Sequence, residues 1–100
     1  LKTTEPVTRV LVIDPANTGV RLRRVLDQSL SPQRAAISVD DIAAGTWHDP
    51  DRNPWKRLAE SDIELPPALT RGKSAIRVTF HPQGSKWSIG ELRAFSHKGR

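Results

Sequence analysis

The run Ser74-Ala75-Ile76-Arg77-Val78-Thr79-Phe80-His81 decides the fold. Ile76, Val78 and Phe80 fall on one side of an extended chain, while Arg77, Thr79 and His81 fall on the other. This is the period-two pattern of a half-buried strand. Outward from it, short runs with the same period recur, and each stops at Gly, Pro, Asn or Asp. They predict strands over 9–14, 20–27, 35–39, 42–47, 62–65, 74–81 and 87–96, and no long amphipathic helix competes. Strands at this spacing make the chain all-β, an antiparallel β-sandwich of about seven or eight strands.

Local signals refine the pattern. Val20 and Leu22 alternate with Arg21 and Arg23, but Arg24 interrupts the apolar face before Val25, so a β-bulge is expected near Arg23-Arg24. Val39-Asp40-Asp41-Ile42 reads as a tight hairpin, since aspartate tolerates the turn geometry. Pro66-Pro67 ends the strand carrying Ile63 and Leu65, because neither proline can donate a ladder hydrogen bond. The connection that follows has room for one helical turn. Residues 1–6 and 98–100 read as linker or frayed ends of a single module spanning 1–100.

One hundred residues make one domain, able to bury roughly 60–70% of the surface its unfolded chain exposes. The longest apolar run, Val10-Leu11-Val12-Ile13, is far shorter than a membrane span. The chain opens on Leu1 without a basic, apolar and small-residue leader, which suggests a module cut from a longer parent. Without cysteine there are no disulfides, thiolate metal sites or cysteine nucleophiles. The formal charge of +5 comes from 16 Lys and Arg against 11 Asp and Glu, scattered except at Arg21, Arg23 and Arg24. Such scatter argues against a phosphate-binding stripe and favours weak, salt-dependent attraction to anionic surfaces or polysaccharides.

Function is sought first in Gly45-Thr46-Trp47-His48-Asp49-Pro50-Asp51-Arg52-Asn53-Pro54-Trp55-Lys56-Arg57. Rigid rings beside planar polar groups suit a sugar, which offers an apolar C–H face for stacking and a rim of hydroxyls for hydrogen bonding. The candidate ligand-binding residues are Trp55, Trp47, Asp49, Asn53 and Arg57. Trp55 would stack on the sugar face, Arg57 and Asn53 would bond hydroxyls, and Asp49 would orient Arg57 or accept a hydroxyl. Trp47 ends an apolar strand and Trp87 begins one, so each also fits a core ring. Trp55, in a loop beside Asn53-Pro54, is the ring best placed to meet solvent.

Other chemistries fit less well. There is no Gly-x-Ser-x-Gly elbow and no spacing that prescribes a triad, so no catalytic residue is assigned and the chain is read as a non-enzyme. Asp40, Asp41, Asp49, Asp51, Asp62 and Glu64 satisfy a glycosidase carboxylate pair only in the sense that any acidic loop does. His48, His81 and His97 lack zinc spacing. No cofactor is assigned, although Asp49, Asp51 and Asn53 alternate as hard oxygen donors in a way that would admit calcium. Nucleic acid is not an expected partner, because no strand presents two exposed rings flanked by Lys and Arg.

A family resemblance covers nearly the whole chain. Asn17-Thr18-Gly19-Val20-Arg21-Leu22-Arg23-Arg24, Asp27-Gln28, Gln33-Arg34-Ala35-Ala36, Val39-Asp40, Ala44-Gly45-Thr46-Trp47, Asn53-Pro54 and Arg57 carry it. So do Asp62-Ile63-Glu64-Leu65-Pro66 and Leu69-Thr70-Arg71-Gly72-Lys73-Ser74. The pattern resembles the accessory C-terminal β-sandwich module of actinobacterial secreted carbohydrate-active enzymes, as in proteins similar to glycoside hydrolase family 172, which acts on furanosides such as arabinan and fructan. The resemblance implies a jelly-roll-like sandwich, an extracellular or cell-envelope location, and an auxiliary carbohydrate-binding role beside a catalytic domain. Its partners would be a polysaccharide or oligosaccharide and the catalytic domain of the parent protein. The alternative it leaves open is a purely structural or oligomerisation module packed against that domain. Where the family pattern carries Tyr after the first Trp and Trp after the Arg, this chain has His48 and Leu58.

Overall fold

A computed structural model describes residues 1–30, 32–50, 58–84 and 86–98. The strands are β1 (Lys2–Thr3), β2 (Val7–Val12), β3 (Val20–Asp27), β4 (Gln33–Val39), β5 (Ile42–Asp49), β6 (Leu58–Leu65), β7 (Ala75–Pro82), β8 (Trp87–Ser88) and β9 (Glu91–Ser96). A 3₁₀ turn, Gln28–Leu30, follows β3, and a single helical turn, α1 (Pro67–Thr70), follows β6. A four-stranded sheet in the order β2-β7-β4-β5 faces a three-stranded sheet in the order β6-β3-β9, and β1 pairs with β8. Every pairing is antiparallel. The chain is an all-β, sandwich-like fold.

Alternation places the core between the sheets. Val20, Leu22 and Leu65 from the smaller sheet meet Ile37, Val39, Ile76, Val78 and Phe80 from the larger in one buried cluster. Burying each such side chain contributes about 1.5–3 kcal/mol of transfer free energy. Trp87 stacks on Phe80 with centroids 5.6 Å apart and meets Trp47 edge-on at 5.8 Å.

The Asp40-Asp41 turn forms as its sequence predicts. Both residues have positive φ, 48° and 69°, the twist that a two-residue hairpin needs. Aspartate is also required by the neighbours, because one Asp40 oxygen accepts the Arg77 amide at 2.9 Å and the other pairs with Lys73 at 2.7 Å. These contacts, with Lys73 first, hold the Asp40 carboxyl below the usual carboxylate range. Beyond Leu65 the two prolines end β6 and start the helical turn.

Three expectations are corrected. There is no bulge at Arg23-Arg24: the register of β3 against β6 runs unbroken from Val20 opposite Leu65 to Asp27 opposite Leu58. Arg24 keeps the inward parity of Leu22 and Leu26 and is fully buried. The irregularity lies in β5 instead, where pairing with β4 shifts between Ile37 and Ser38 beside Gly45 at φ +117°. The predicted strand 87–96 is two strands, since the Gly90 amide turns in to bond the Val25 carbonyl at 2.7 Å between β8 and β9. Residues 2 and 3 are not frayed, because Lys2 and Thr3 stand opposite Ser88 and Trp87.

Candidate functional site

One end of the sandwich is organised by a buried cation. Arg24, on the inner face of β3, sends Nη1 to Asp49 Oδ2 at 2.7 Å, Nη2 to Gln33 Oε1 at 2.9 Å and Nε to the Ser88 carbonyl at 3.2 Å. Its guanidinium lies 3.4 Å from the centroid of Trp87 and 5.0 Å from that of Trp47. Both rings offer their π-density to the charge. Burial pulls the Arg24 pKa down to about 10, and the Asp49 carboxylate works against that fall, so the group stays cationic at neutral pH.

The surrounding polar groups complete the arrangement. Gln33 Oε1 accepts the Ser88 amide at 3.0 Å, and its Nε2 donates to the Asp27 carbonyl at 2.8 Å. The Ser88 hydroxyl accepts the Asp27 amide at 2.8 Å. Trp47 Nε1 donates to Ser61 Oγ at 2.8 Å, and Ser61 passes a hydrogen bond of the same length to Asp49 Oδ1. Strands of both sheets are thereby joined through one ion pair, satisfied on nearly every side. Among the described residues the indole N–H of Trp87 has no hydrogen-bond partner.

The candidate residues are distributed unevenly. Trp47 is 3% exposed, wedged against Phe80 and Trp87 with its N–H on Ser61, so it offers no face for stacking. This corrects its reading as a ligand-binding ring. Asp49 ends β5 with both oxygens engaged, and its partly exposed side chain lines a shallow depression of about 210 Å³ with Leu26, Gln28, Pro50, Ala59 and Glu60. Asn53, Trp55 and Arg57 lie outside the described residues, so the site grouping has only Asp49 and Trp47 within them.

The other polar clusters are equally concrete. Of the calcium donors, Asp49 is spent on Arg24 and Ser61, while Asp51 and Asn53 lie outside the described residues. Among the described residues no group of three His, Asp or Glu converges as metal ligands would. The histidines sit apart: His48 lies beside Arg34, His81 is 3.4 Å from Ser38 Oγ, and His97 bonds Glu64. The Ser38–His81 contact, at 3.4 Å, lies on an exposed sheet face.

The chain matches no protein-family model, and no curated protein matches it. No helix among the described residues is long and apolar enough to cross a membrane.

The residues that organise this end, Arg24, Gln33 and Ser88, were not among the sequence candidates. For Arg24 the signal was its position, in phase with Val20, Leu22 and Leu26 on an otherwise apolar face. A cation at such a position is either a break in the strand or a buried charge with a partner, and here it is the second.

Proposed function

We propose that this chain is a non-catalytic accessory β-sandwich module of a glycan-acting cell-envelope enzyme or transferase, placing its partner domain on arabinan-type furanoside polymers. The single observation that carries the reading is the construction around Asp49. The last residue of β5 is fixed by Arg24 and Ser61, opens on a polar depression, and leads directly into the passage that holds Asn53, Trp55 and Arg57. Loops at the end of a rigid sandwich are where such scaffolds carry binding residues. The family pattern in the sequence supports the same role.

In this reading Trp55 stacks on a sugar, with Asn53 and Arg57 bonding its hydroxyls, while Trp47 and Trp87 serve the core. Trp55→Ala then weakens binding to arabinan fragments by about 1–3 kcal/mol. Affinity electrophoresis on arabinan checks it, and retention unchanged by the substitution rejects the assignment.

A second reading, a structural or oligomerisation module, is favoured by a different observation. The large apolar side chains most open to solvent among the described residues are Val12 at 84% and Val10 at 69%, both on β2. Exposed aliphatics grouped on one strand mark a contact with protein rather than with sugar.

A further inference from the structure

Every open sheet has edges whose free amides and carbonyls can pair with another chain, and folded proteins blunt them with charge, proline or bulges. In the smaller sheet, β6 carries Glu60, Asp62 and Glu64, and β9 carries Glu91 and Arg93. In the larger sheet, β5 is kinked by the shift beside Gly45. Strand β2, Val-Thr-Arg-Val-Leu-Val, has neither a bulge nor an internal proline, and its one charge is Arg9. Among the described residues nothing pairs with its outer edge.

The free groups can be identified. The Ile13 amide bonds the Ser74 carbonyl at 2.9 Å, and the β2 register continues from that pair. Odd-numbered residues of β2 therefore bond β7, whereas the amides and carbonyls of Thr8, Val10 and Val12 point away from it. The two most exposed of these residues are the valines noted above. The Thr8 carbonyl accepts Arg9 Nη1 at 3.3 Å, an exposed bond that an incoming strand amide would replace, and among the described residues no carboxylate pairs with Arg9.

We propose that the free edge of β2 pairs antiparallel with β2 of a second copy of this chain, with Val10 facing the partner's Val10 across a two-fold axis. The inference rests on the association reading and names its surface. Only this register engages all the free groups. Thr8 meets the partner's Val12, giving about six interchain hydrogen bonds, and Val10 packs against the partner's Val10 on the outer face. Arg9 then lies opposite the partner's Leu11, which its aliphatic stem can cover. Sliding two residues one way sets Arg9 against the partner's Arg9 and pairs Val12 with the partner's Pro6, which has no amide to give. Sliding the other way uses Asp14, whose amide is already bonded to Ser96 Oγ at 3.0 Å. The four-stranded sheets of the two copies become continuous. So narrow a contact lies at the weak end of protein interfaces, and the dimer dissociates on dilution.

The chain has no cysteine, so one introduced thiol reports the register cleanly. Facing residues in a hydrogen-bonded antiparallel pair have Cα atoms about 5.5 Å apart, within disulfide range. Val10→Cys should therefore oxidise to a covalent dimer at least about tenfold faster than Thr8→Cys, whose thiols would be separated by roughly 13 Å along the strand. Sedimentation of the unaltered chain should show the 11.1 kDa species giving way to its double as concentration rises. Val10→Lys, with its fold verified by circular dichroism, should raise the dissociation constant about tenfold or more. Equal cross-linking at both positions, or a single 11.1 kDa species at every concentration, overturns the proposal. Association undiminished by Val10→Lys overturns this edge while leaving the broader association reading standing.

Discussion

Two neighbouring arginines of β3 live in opposite worlds. Arg23 looks outward, held by Asp62 through bonds of 2.8 and 3.0 Å on the outer face of the smaller sheet. Arg24 looks inward, with a carboxylate, an amide and a carbonyl arranged around it and the centroids of two indoles 3.4 and 5.0 Å from its guanidinium. Outside, the charges form a ladder in which each has alternatives: Arg21 bonds Glu64 and approaches Asp62, while Arg23 also reaches toward Glu60 at 3.7 Å. Inside, Asp49 is the only carboxylate paired with Arg24 among the described residues. The contrast teaches that the strength of an ion pair depends less on its length than on what either partner would face without the other.

The inner pair gives the largest expected effect. Asp49→Ala strands a fully buried guanidinium and should cost about 3 kcal/mol or more of unfolding free energy in urea titrations. Replacing both partners together, Arg24→Met with Asp49→Leu, should recover most of that loss, because the desolvated charge is then gone. A single loss below about 1 kcal/mol would place the pair with ordinary surface pairs and erase the contrast.

Acid provides the next test. Hydrogen bonds from the Ser29 hydroxyl and amide, with Lys2 nearby, hold Asp27 down to about 2 from its ordinary 3.8. Arg23 likewise lowers Asp62, and the bonds that Glu64 receives from Arg21 and His97 outweigh its burial and lower it too. A carboxylate with a depressed folded value stabilises the fold fully above its unfolded pKa and loses that contribution as pH falls through the folded one. Unfolding free energy measured by urea should therefore hold steady down to about pH 4 and decline toward pH 2. Asp27→Asn should flatten the lowest part of that slope, and an unchanged slope would remove Asp27 from the account.

The same contrast explains what was legible in the sequence. Alternation in 74–81 and 20–27, and the Asp40-Asp41 turn, are local signals, and the strands and hairpin they predict are present. Arg24 was misread as an interruption because its burial depends on Gln33, Asp49 and Trp87, which adjoin it only after both sheets form. Trp47 fitted both a ligand ring and a core ring in the sequence, and what decides between them is subtler. The shift beside Gly45 inserts one residue into β5, and a one-residue slip reverses which face every later side chain takes. Counted without that slip from Ile42, Trp47 points to solvent. Counted with it, Trp47 enters the core opposite Ala35, and Asp49 follows it inward to Arg24. The pairing of Lys2 and Thr3 with β8 was hidden likewise, since its partner lies at the other end of the chain.

The outer ladder gives the smallest effect, and its smallness is the point. Asp62 accepts two bonds from Arg23, geometry that in isolation would rank among strong surface pairs. Yet water screens both partners, and the neighbours can take over: with Asp62→Ala, Arg21 keeps Glu64 and Arg23 keeps Glu60 and the ring of Phe95, 5.1 Å below its guanidinium. The loss should be about 0.5 kcal/mol at low salt and vanish within error near 1 M NaCl, where charges are screened beyond about 3 Å. Asp49→Ala measured in the same salt series should keep most of its cost, because salt does not enter the space between Arg24 and the indoles. If the two substitutions responded to salt alike, the distinction between the inward and outward arginines would reduce to distance alone.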